Sequence, residues 1–336
     1  MMKAVIPAAG QGTRLFPQTH TKPKAMVRLA GRPILGHILS SLAETQVNEV
    51  VLIVGGPMQQ QITKYARDAF GDRFDLRFIE QQSAEGLGHS IYQARTAVGA
   101  DPALIVLGDM IFENGYASFL DAHEELGRPD ASLGVKRVAE PSHYGVVETD
   151  GKRITRLVEK PDEPPSDYAI SGVYIVEDTS SLFDSLEFLI SNDIRGSGNE
   201  YQLTDALQRM IDGGSKMRFF EVEDWYDCGR PDTLLEANRV LLSRLDTETD
   251  IDVPNAVVIP PIDIGTDVTI ESSVIGPHVS VDDGATIRDS IIRETIVGQT
   301  ATLENVNLDE SIVGSNATVR GEANHLNVGD SSTVQL

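Results

Sequence analysis

The stretch Pro7-Ala-Ala-Gly-Gln-Gly-Thr-Arg-Leu15, with Lys24 nine residues beyond it, has the makings of a phosphate cradle rather than a packed core. Gly10 and Gly12 lack a Cβ, so the backbone there can adopt positive φ and bring N–H groups onto an anion. Arg14 and Lys24 add fixed positive charge, and together they suit a triphosphate. A glycine-bearing turn between strand and helix can also be purely steric, and the two readings stand side by side. A second candidate is Asp109, which ends the apolar run Leu104-Ile-Val-Leu-Gly-Asp109. A carboxylate there could hold Mg2+ against a phosphate, or cap a turn.

These residues need a scaffold, and the apolar pattern supplies one. Residues 3–6 read as a short buried strand leading into the loop, and Ile34, Leu35, Ile38, Leu39 and Leu42 follow it at helical spacing. Further strands are expected at 49–54, 76–79, 103–107 and 131–135, with helices at 59–69 and 89–98. Alternation of this kind predicts an α/β fold, a doubly wound mixed sheet whose ligands bind at the carboxyl ends of the strands. Beyond about residue 250 the helical period disappears. Ile264, Ile270, Ile275, Val281, Ile287, Ile292, Val297, Leu303, Leu308, Val313 and Val319 recur every five or six positions, several of them just before glycine. That rhythm predicts a short left-handed parallel β-helix, with a plain β-sandwich as the alternative. The expected division is therefore 1–245 and 250–336, with a helix at 232–245 bridging the two parts.

Composition narrows the partners. The chain carries 51 acidic and 28 basic residues, a net charge of −23, and arginines outnumber lysines 20 to 8. Such a surface repels nucleic acid and anionic lipid, so neither is an expected partner. A polyanionic substrate then requires cations gathered locally, and Lys22, Lys24 and Lys160 lie where this would happen. Acidity with few lysines also fits a halophilic source. No apolar run reaches membrane-spanning length, the first residues enter a strand directly, and Cys228 is the single cysteine. A cytoplasmic protein without an internal disulfide is expected.

The full string GQGTRLFPQTHTKPKAMVRLAGRPIL is neither a Walker A loop nor a dinucleotide fingerprint. It resembles the sugar-1-phosphate nucleotidyltransferases, which carry G-x-G-T-R followed about ten residues on by P-K. Further matches follow in the family's order. The resemblance assigns Ala8, Ala9, Gly10, Gly12 and Thr13 to the nucleotide, with Gln81 and Gly86 of EQQSAEGLGHS reading a pyrimidine base. An amide offers both donor and acceptor, the alternative being that Gln81 is simply a polar residue at a strand end. Trp225-Tyr-Asp-Cys-Gly matches W-x-D-x-G and makes Asp227 the second Mg2+ ligand beside Asp109. The family's sugar-phosphate site falls on the Tyr144-Gly145-Val-Val turn, on Glu159 and Lys160 of Glu-Lys-Pro, on Gly172 and on Glu200. Glu159 and Lys160 could instead form a solvated surface pair. Asn199 stands where the family usually has glycine, which leaves the role of Glu200 less secure.

The resemblance implies Mg2+-dependent transfer of a nucleotidyl group to a sugar 1-phosphate, with Arg14, Lys24, Asp109 and Asp227 carrying catalysis. The Ala8-Ala9-Gly10 opening is similar to uridylyl-transferring members, whereas the architecture is similar to long-form glucose-1-phosphate thymidylyltransferases. Architecture is given the greater weight, so dTTP ranks before UTP and glucose 1-phosphate is the favoured acceptor. Two rivals are a bifunctional enzyme whose β-helix transfers acetyl groups through His278 or His325, and a regulatory subunit without chemistry. The preferred role of the β-helix is assembly into a homo-oligomer.

Overall fold

A computed structural model of the chain describes residues 1–10, 12–223, 225–244, 253, 255–322 and 328. Its central feature is a nine-stranded sheet. The strands are β1 (Lys3–Pro7), β2 (Glu49–Val54), β3 (Asp75–Glu80), β4 (Ala103–Val106), β6 (Ala131–Arg137), β7 (Gly145–Asp150), β8 (Arg153–Glu159), β9 (Tyr168–Val176) and β10 (Met217–Glu221). They lie in the order β3-β2-β1-β4-β9-β6-β10-β8-β7. The first four run parallel, with Val5 opposite both Val51 and Ile105. β9 is antiparallel to β4 and β6, so the sheet is mixed as expected. A separate ribbon pairs β5 (Met110–Phe112) antiparallel with β11 (Trp225–Asp227), Asp227 lying opposite Met110.

The chain leaves β1 outward to β2 and β3, then returns to β4 on the other side of β1. This reversal opens a crevice at the carboxyl ends of β1 and β4, the position where such sheets bind ligands. Helices α1 (Ile34–Ala43), α2 (Gln59–Phe70), α3 (Leu87–Gln93), α4 (Gly115–Glu125), α5 (Thr179–Ser191) and α6 (Leu203–Asp212) complete this part, and α7 (Pro231–Arg244) follows, most of it grouped with the second unit described below. The five apolar residues of α1 named above are all buried. A core of Val5, Ile53, Ile105 and Leu133 from the strands meets Leu182, Leu186, Leu203 and Leu207 from α5 and α6.

Three local expectations change. The helix expected at 89–98 is α3 followed by a separate short turn, Arg95–Val98. The Tyr144-Gly145-Val-Val turn is the entry to β7, because Val146 and Val147 are fully buried on the sheet. The helix expected at 232–245 is α7, and Leu245 lies outside the described residues.

Contacts group the chain into two compact units, Met1–Arg28 with Arg32–Leu234, and Leu29–Gly31 with Leu235–Leu336. The second unit contains three four-stranded parallel sheets whose strands alternate along the chain, the stacked coils of a left-handed β-helix. Thr269 pairs with Thr286, Thr286 with Thr302, and Thr302 with Thr318, so a coil takes 16 or 17 residues. Ile270, Ile275, Val281, Ile287, Ile292, Val297, Leu303 and Val313 form the buried centre, with Ile264, Leu308 and Val319 packed at its edge. These are the residues that the sequence rhythm picks out. On the outside, Arg288 reaches Glu271, Arg293 reaches Asp309 and Arg320 reaches Glu304, each on a neighbouring coil. Exposed pairs of this kind contribute little, about 0–1 kcal/mol each.

The prism depends on its apolar centre. Ile287→Ala should lower the stability of the second unit by about 2–5 kcal/mol, the usual effect of emptying a fully buried aliphatic site. Thermal unfolding followed by circular dichroism checks this, and an unchanged profile would contradict a packed prism.

Candidate active site

Two clefts adjoin at the carboxyl end of β1 and β4. The smaller, about 420 Å3, is lined by Ala8, Ala9, Gly10, Arg14, Lys24, Gln81, Gly86, Asp109 and Glu200, among others. The larger, about 1020 Å3, is lined by Arg14, Asp109, Tyr144, Gly145, Glu159, Lys160, Gly172 and Asp227, among others. Arg14, Leu87, Leu107 and Asp109 belong to both. The sequence motifs thus sort into two groups that meet at one carboxylate.

At the junction, Lys24 is 8% exposed, and a buried cation needs paired charges. Its ammonium donates to the Asp109 carboxylate and lies 3.7 Å from Asp227 Oδ1. The β5–β11 ribbon brings the two aspartates together, and the Cys228 N–H donates to the Asp109 carbonyl at 2.9 Å. Two glycines make room for the lysine. A Cβ on Gly12, whose φ is 64°, would lie 2.9 Å from Lys24 Cβ, and one on Gly229 would lie 2.9 Å from Lys24 Nζ. Gly12 therefore supports the lysine from beneath, and Thr19 Oγ1 donates to its carbonyl at 2.8 Å. Gly10 does not adopt positive φ, contrary to expectation. A Cβ there would meet nothing within 4 Å, so the residue borders open cleft. Neither Gly12 nor Thr13 lines either cleft.

Asp109 and Asp227 fit the Mg2+ that the sequence implies. Their side chains are about one-third exposed, 32% and 34%, and they converge on one cationic centre. Hard oxygens suit this ion, which commonly takes one or two carboxylates and completes its shell with water and phosphate oxygens. Among the described residues no cluster of three or more His, Cys, Asp or Glu forms a closed metal cage.

A family model described as nucleotidyl transferase matches residues 3–244. The chain belongs to the nucleotidyl transferase family. Three relatives are similar over the same part. A low-salt glycan biosynthesis nucleotidyltransferase from Haloferax volcanii is 33% identical over 243 residues, 72% of this chain and 66% of the relative. A glucose-1-phosphate thymidylyltransferase from Streptomyces antibioticus is 34% identical over 247 residues, 73% of this chain and 67% of the relative. A bifunctional GlmU protein from Methanococcus maripaludis is 34% identical over 260 residues, 76% of this chain and 58% of the relative. Among solved structures, a UDP-glucose pyrophosphorylase complexed with UDP-glucose shares the fold at a TM-score of 0.63 and 24% identity, covering 73% of this chain and all of that one. The matched stretch spans only 56 to 68% of the length of the curated relatives.

Within this nucleotidyl transferase fold the larger cleft has its own supports. Glu159 Oε2 accepts from Thr204 Oγ1 at 2.6 Å, and its Oε1 lies 3.9 Å from Lys160 Nζ. Lys160 has a φ of 43° and donates its N–H to the Tyr144 carbonyl at 2.9 Å. Tyr144 in turn packs tilted on Trp225 at 5.5 Å. Gly145 leaves space for Glu159, since a Cβ would lie 2.9 Å from its Oε2. Gly172 lines the cleft, yet its missing side chain is filled by Leu107, 2.8 Å from an added Cβ, and its φ of 87° sits in the irregular part of β9. Packing and backbone conformation, rather than open access, account for that glycine. Glu200 lines the smaller cleft instead of the larger. Asn199 beside it has a φ of 58°, a left-handed conformation that Asn tolerates best after glycine, so the exchange keeps the backbone shape.

Sequence reading passed over Thr204, Trp225 and Arg230 as cleft residues. Trp225 opens the W-x-D-x-G match, Arg230 directly follows its glycine and Thr204 lies four residues after Glu200, so the signal was close at hand. Cys228 and Asp205 are among the perturbed titrating groups. Burial pushes the Cys228 thiol well up, and the charge of Asp109 adds to it, which leaves the thiol neutral and inert. Burial raises Asp205, and Glu159 raises it further.

Because Asp205 binds its proton more tightly folded than unfolded, its contribution to stability is greatest at acidic pH. That contribution is lost as pH rises through its folded pKa. Replacing Glu159→Gln removes one of the two causes and should move the Asp205 titration down toward the ordinary carboxylate range. Carbon-detected NMR of the Asp205 carboxyl checks this, and an unmoved titration would leave burial as the whole cause.

Proposed function

We propose that this chain transfers a nucleotidyl group from a nucleoside triphosphate, with dTTP favoured over UTP, to a sugar 1-phosphate, with glucose 1-phosphate favoured. Pyrophosphate is released. The observation that carries the reading is the junction of the two clefts, where Lys24 lies between Asp109 and Asp227 and Arg14 faces both spaces. A triphosphate in the smaller cleft and a sugar phosphate in the larger would present donor and acceptor to each other there. The attacking phosphate oxygen is already an anion, so no general base is required, and positioning with charge stabilisation suffices. Arg14 and Lys24 bind the phosphates of the donor, and Lys160 orients the acceptor phosphate. Glu159, held by Thr204, accepts from sugar hydroxyls. Asp109 and Asp227 would hold Mg2+, which would supply charge neutralisation to phosphate oxygens when bound.

For the β-helix, assembly of a homo-oligomer remains the preferred role. His278 Nδ1 is tied to Glu294 at 2.7 Å, and Arg239 holds the other oxygen of the same carboxylate at 2.8 Å. This network serves packing within the second unit better than acetyl transfer, and His325 lies outside the described residues. A regulatory subunit without chemistry would have little reason to keep four charged groups converging at one junction.

Pyrophosphate release measured across a matrix of nucleotides and sugar 1-phosphates tests the reaction, with dTTP and glucose 1-phosphate expected to give the highest kcat/KM. If the two aspartates act through one ion, Asp109→Asn and Asp227→Asn should each lower kcat by roughly a hundredfold or more. The double variant should be much less than multiplicatively worse. Multiplicative losses would speak against a shared ion.

Lys24→Ala and Lys160→Ala should separate kinetically. The first should impair nucleotide use and the second should mainly raise the KM for sugar phosphate, because each removes a charge-assisted contact to a different substrate. Equal effects on both substrates would refute the assignment of the two clefts.

A further inference from the structure

The base-reading candidate Gln81 is not alone. It is 9% exposed on the wall of the smaller cleft, and its Nε2 lies 3.4 Å from His89 Nδ1. On the far side of the same ring, His89 Nε2 lies 3.1 Å from Gln93 Nε2. His89 is carried on the first turn of α3 and Gln93 one turn later, so both are fixed by the helix.

A neutral imidazole has one N–H and one lone pair, and the two glutamines must respect that. If Nδ1 holds the lone pair, Gln81 donates its N–H to the ring, and Gln93 turns its carbonyl oxygen toward the Nε2–H. If Nε2 holds the lone pair, both amides turn round. The direction of the chain therefore decides which end of the Gln81 amide faces the ring and which faces the cleft. A nearby charge selects between the two states. Glu85 Oε1 lies 3.9 Å from His89 Nε2, and negative charge there favours a proton on Nε2. Glu85 is itself held by Ser83 Oγ at 2.7 Å and by Arg195 at 2.9 Å, contacts that keep its carboxyl below the usual range and ionised.

We propose that His89 is a positioning residue that fixes the orientation of the Gln81 amide and thereby discriminates among pyrimidines. With one N–H of Gln81 donated to His89 Nδ1, the Nε2 end of the amide is held at the ring and the oxygen end is turned to the cleft, where the oxygen can accept from the N3–H of thymine or uracil. Cytosine carries a bare N3 acceptor at that position. To put a donor where the amide oxygen stands the amide must turn, and its oxygen would then oppose the Nδ1 lone pair. Turning costs a hydrogen bond and sets two acceptors against each other, so a mismatched base is rejected by the relay and not by shape. The inference rests on the reading of the smaller cleft as a nucleotide site.

Two measurements test it on the full-length protein. Nitrogen NMR of the ring of His89, without ligand, should show the Nε2–H tautomer, and Glu85→Gln should raise the share of the Nδ1–H form. An Nδ1–H tautomer in the parent protein would overturn the proposal without reference to activity. In kinetics, the ratio of kcat/KM for dTTP over dCTP should fall by about tenfold or more in His89→Phe, carried by the KM for each nucleotide. A ratio that stays put in His89→Phe but moves in Gln81→Leu would overturn the role of His89 alone. A ratio that moves in neither variant would overturn the nucleotide assignment of the cleft as well.

Discussion

A lysine that is almost wholly buried among carboxylates governs the arrangement of the first unit. Lys24 cannot be buried without compensating charge, and Asp109, directly before β5, and Asp227, at the end of β11, provide it. The pairing constrains everything nearby. Gly12 and Gly229 must lack side chains, and Cys228 must sit sealed beneath the ribbon with its N–H on Asp109. Removing one partner of such a group leaves an uncompensated charge, which typically costs about 3–5 kcal/mol. The same charges that hold the fold stand where the two clefts meet.

The acidity of the chain acquires a use in this setting. A net charge of −23 would repel polyanions over most of the surface, so attraction has to be local. Lys24, Arg14, Lys160 and Arg230 all reach the walls of the two clefts. There they stand among five carboxylates, Asp109, Glu140, Glu159, Glu200 and Asp227, so the strand ends gather both signs of charge on a chain that is otherwise strongly acidic.

The second unit solves a different problem with simpler means. Each coil contributes a few aliphatic residues to a narrow prism, and Ala30, Asn238 and Ser280 satisfy one another beside it. Asn238 Oδ1 accepts from the Ala30 N–H at 2.8 Å and from Ser280 Oγ at 2.6 Å. Gly31 lies so close to Asp263 that a Cβ would stand 2.7 Å from its carboxylate. The short segment Leu29–Gly31 therefore belongs to the β-helix unit, although it lies within the amino-terminal motif string.

What the sequence by itself determined is what local chain chemistry encodes. The strand and helix periods and the five-to-six-residue rhythm of the β-helix were legible, because each follows from side-chain spacing along a short stretch. Tertiary structure decided the rest. Lys24 meets Asp109 across 85 residues only because β1 and β4 are neighbours, and Asp227 joins them only because β11 pairs with β5. Gly10 and Gly172 illustrate the limit: whether a glycine serves a turn, a neighbour's side chain or an open cleft depends on what packs against it. The relay from Gln81 through His89 to Gln93 shows it again. Its residue types were in plain view, but the direction of its hydrogen bonds depends on Glu85 and on the groups that hold it, including Arg195 from a distant part of the chain. Periodicity is a property of the chain, whereas the sense of a hydrogen-bond chain belongs to the space it occupies.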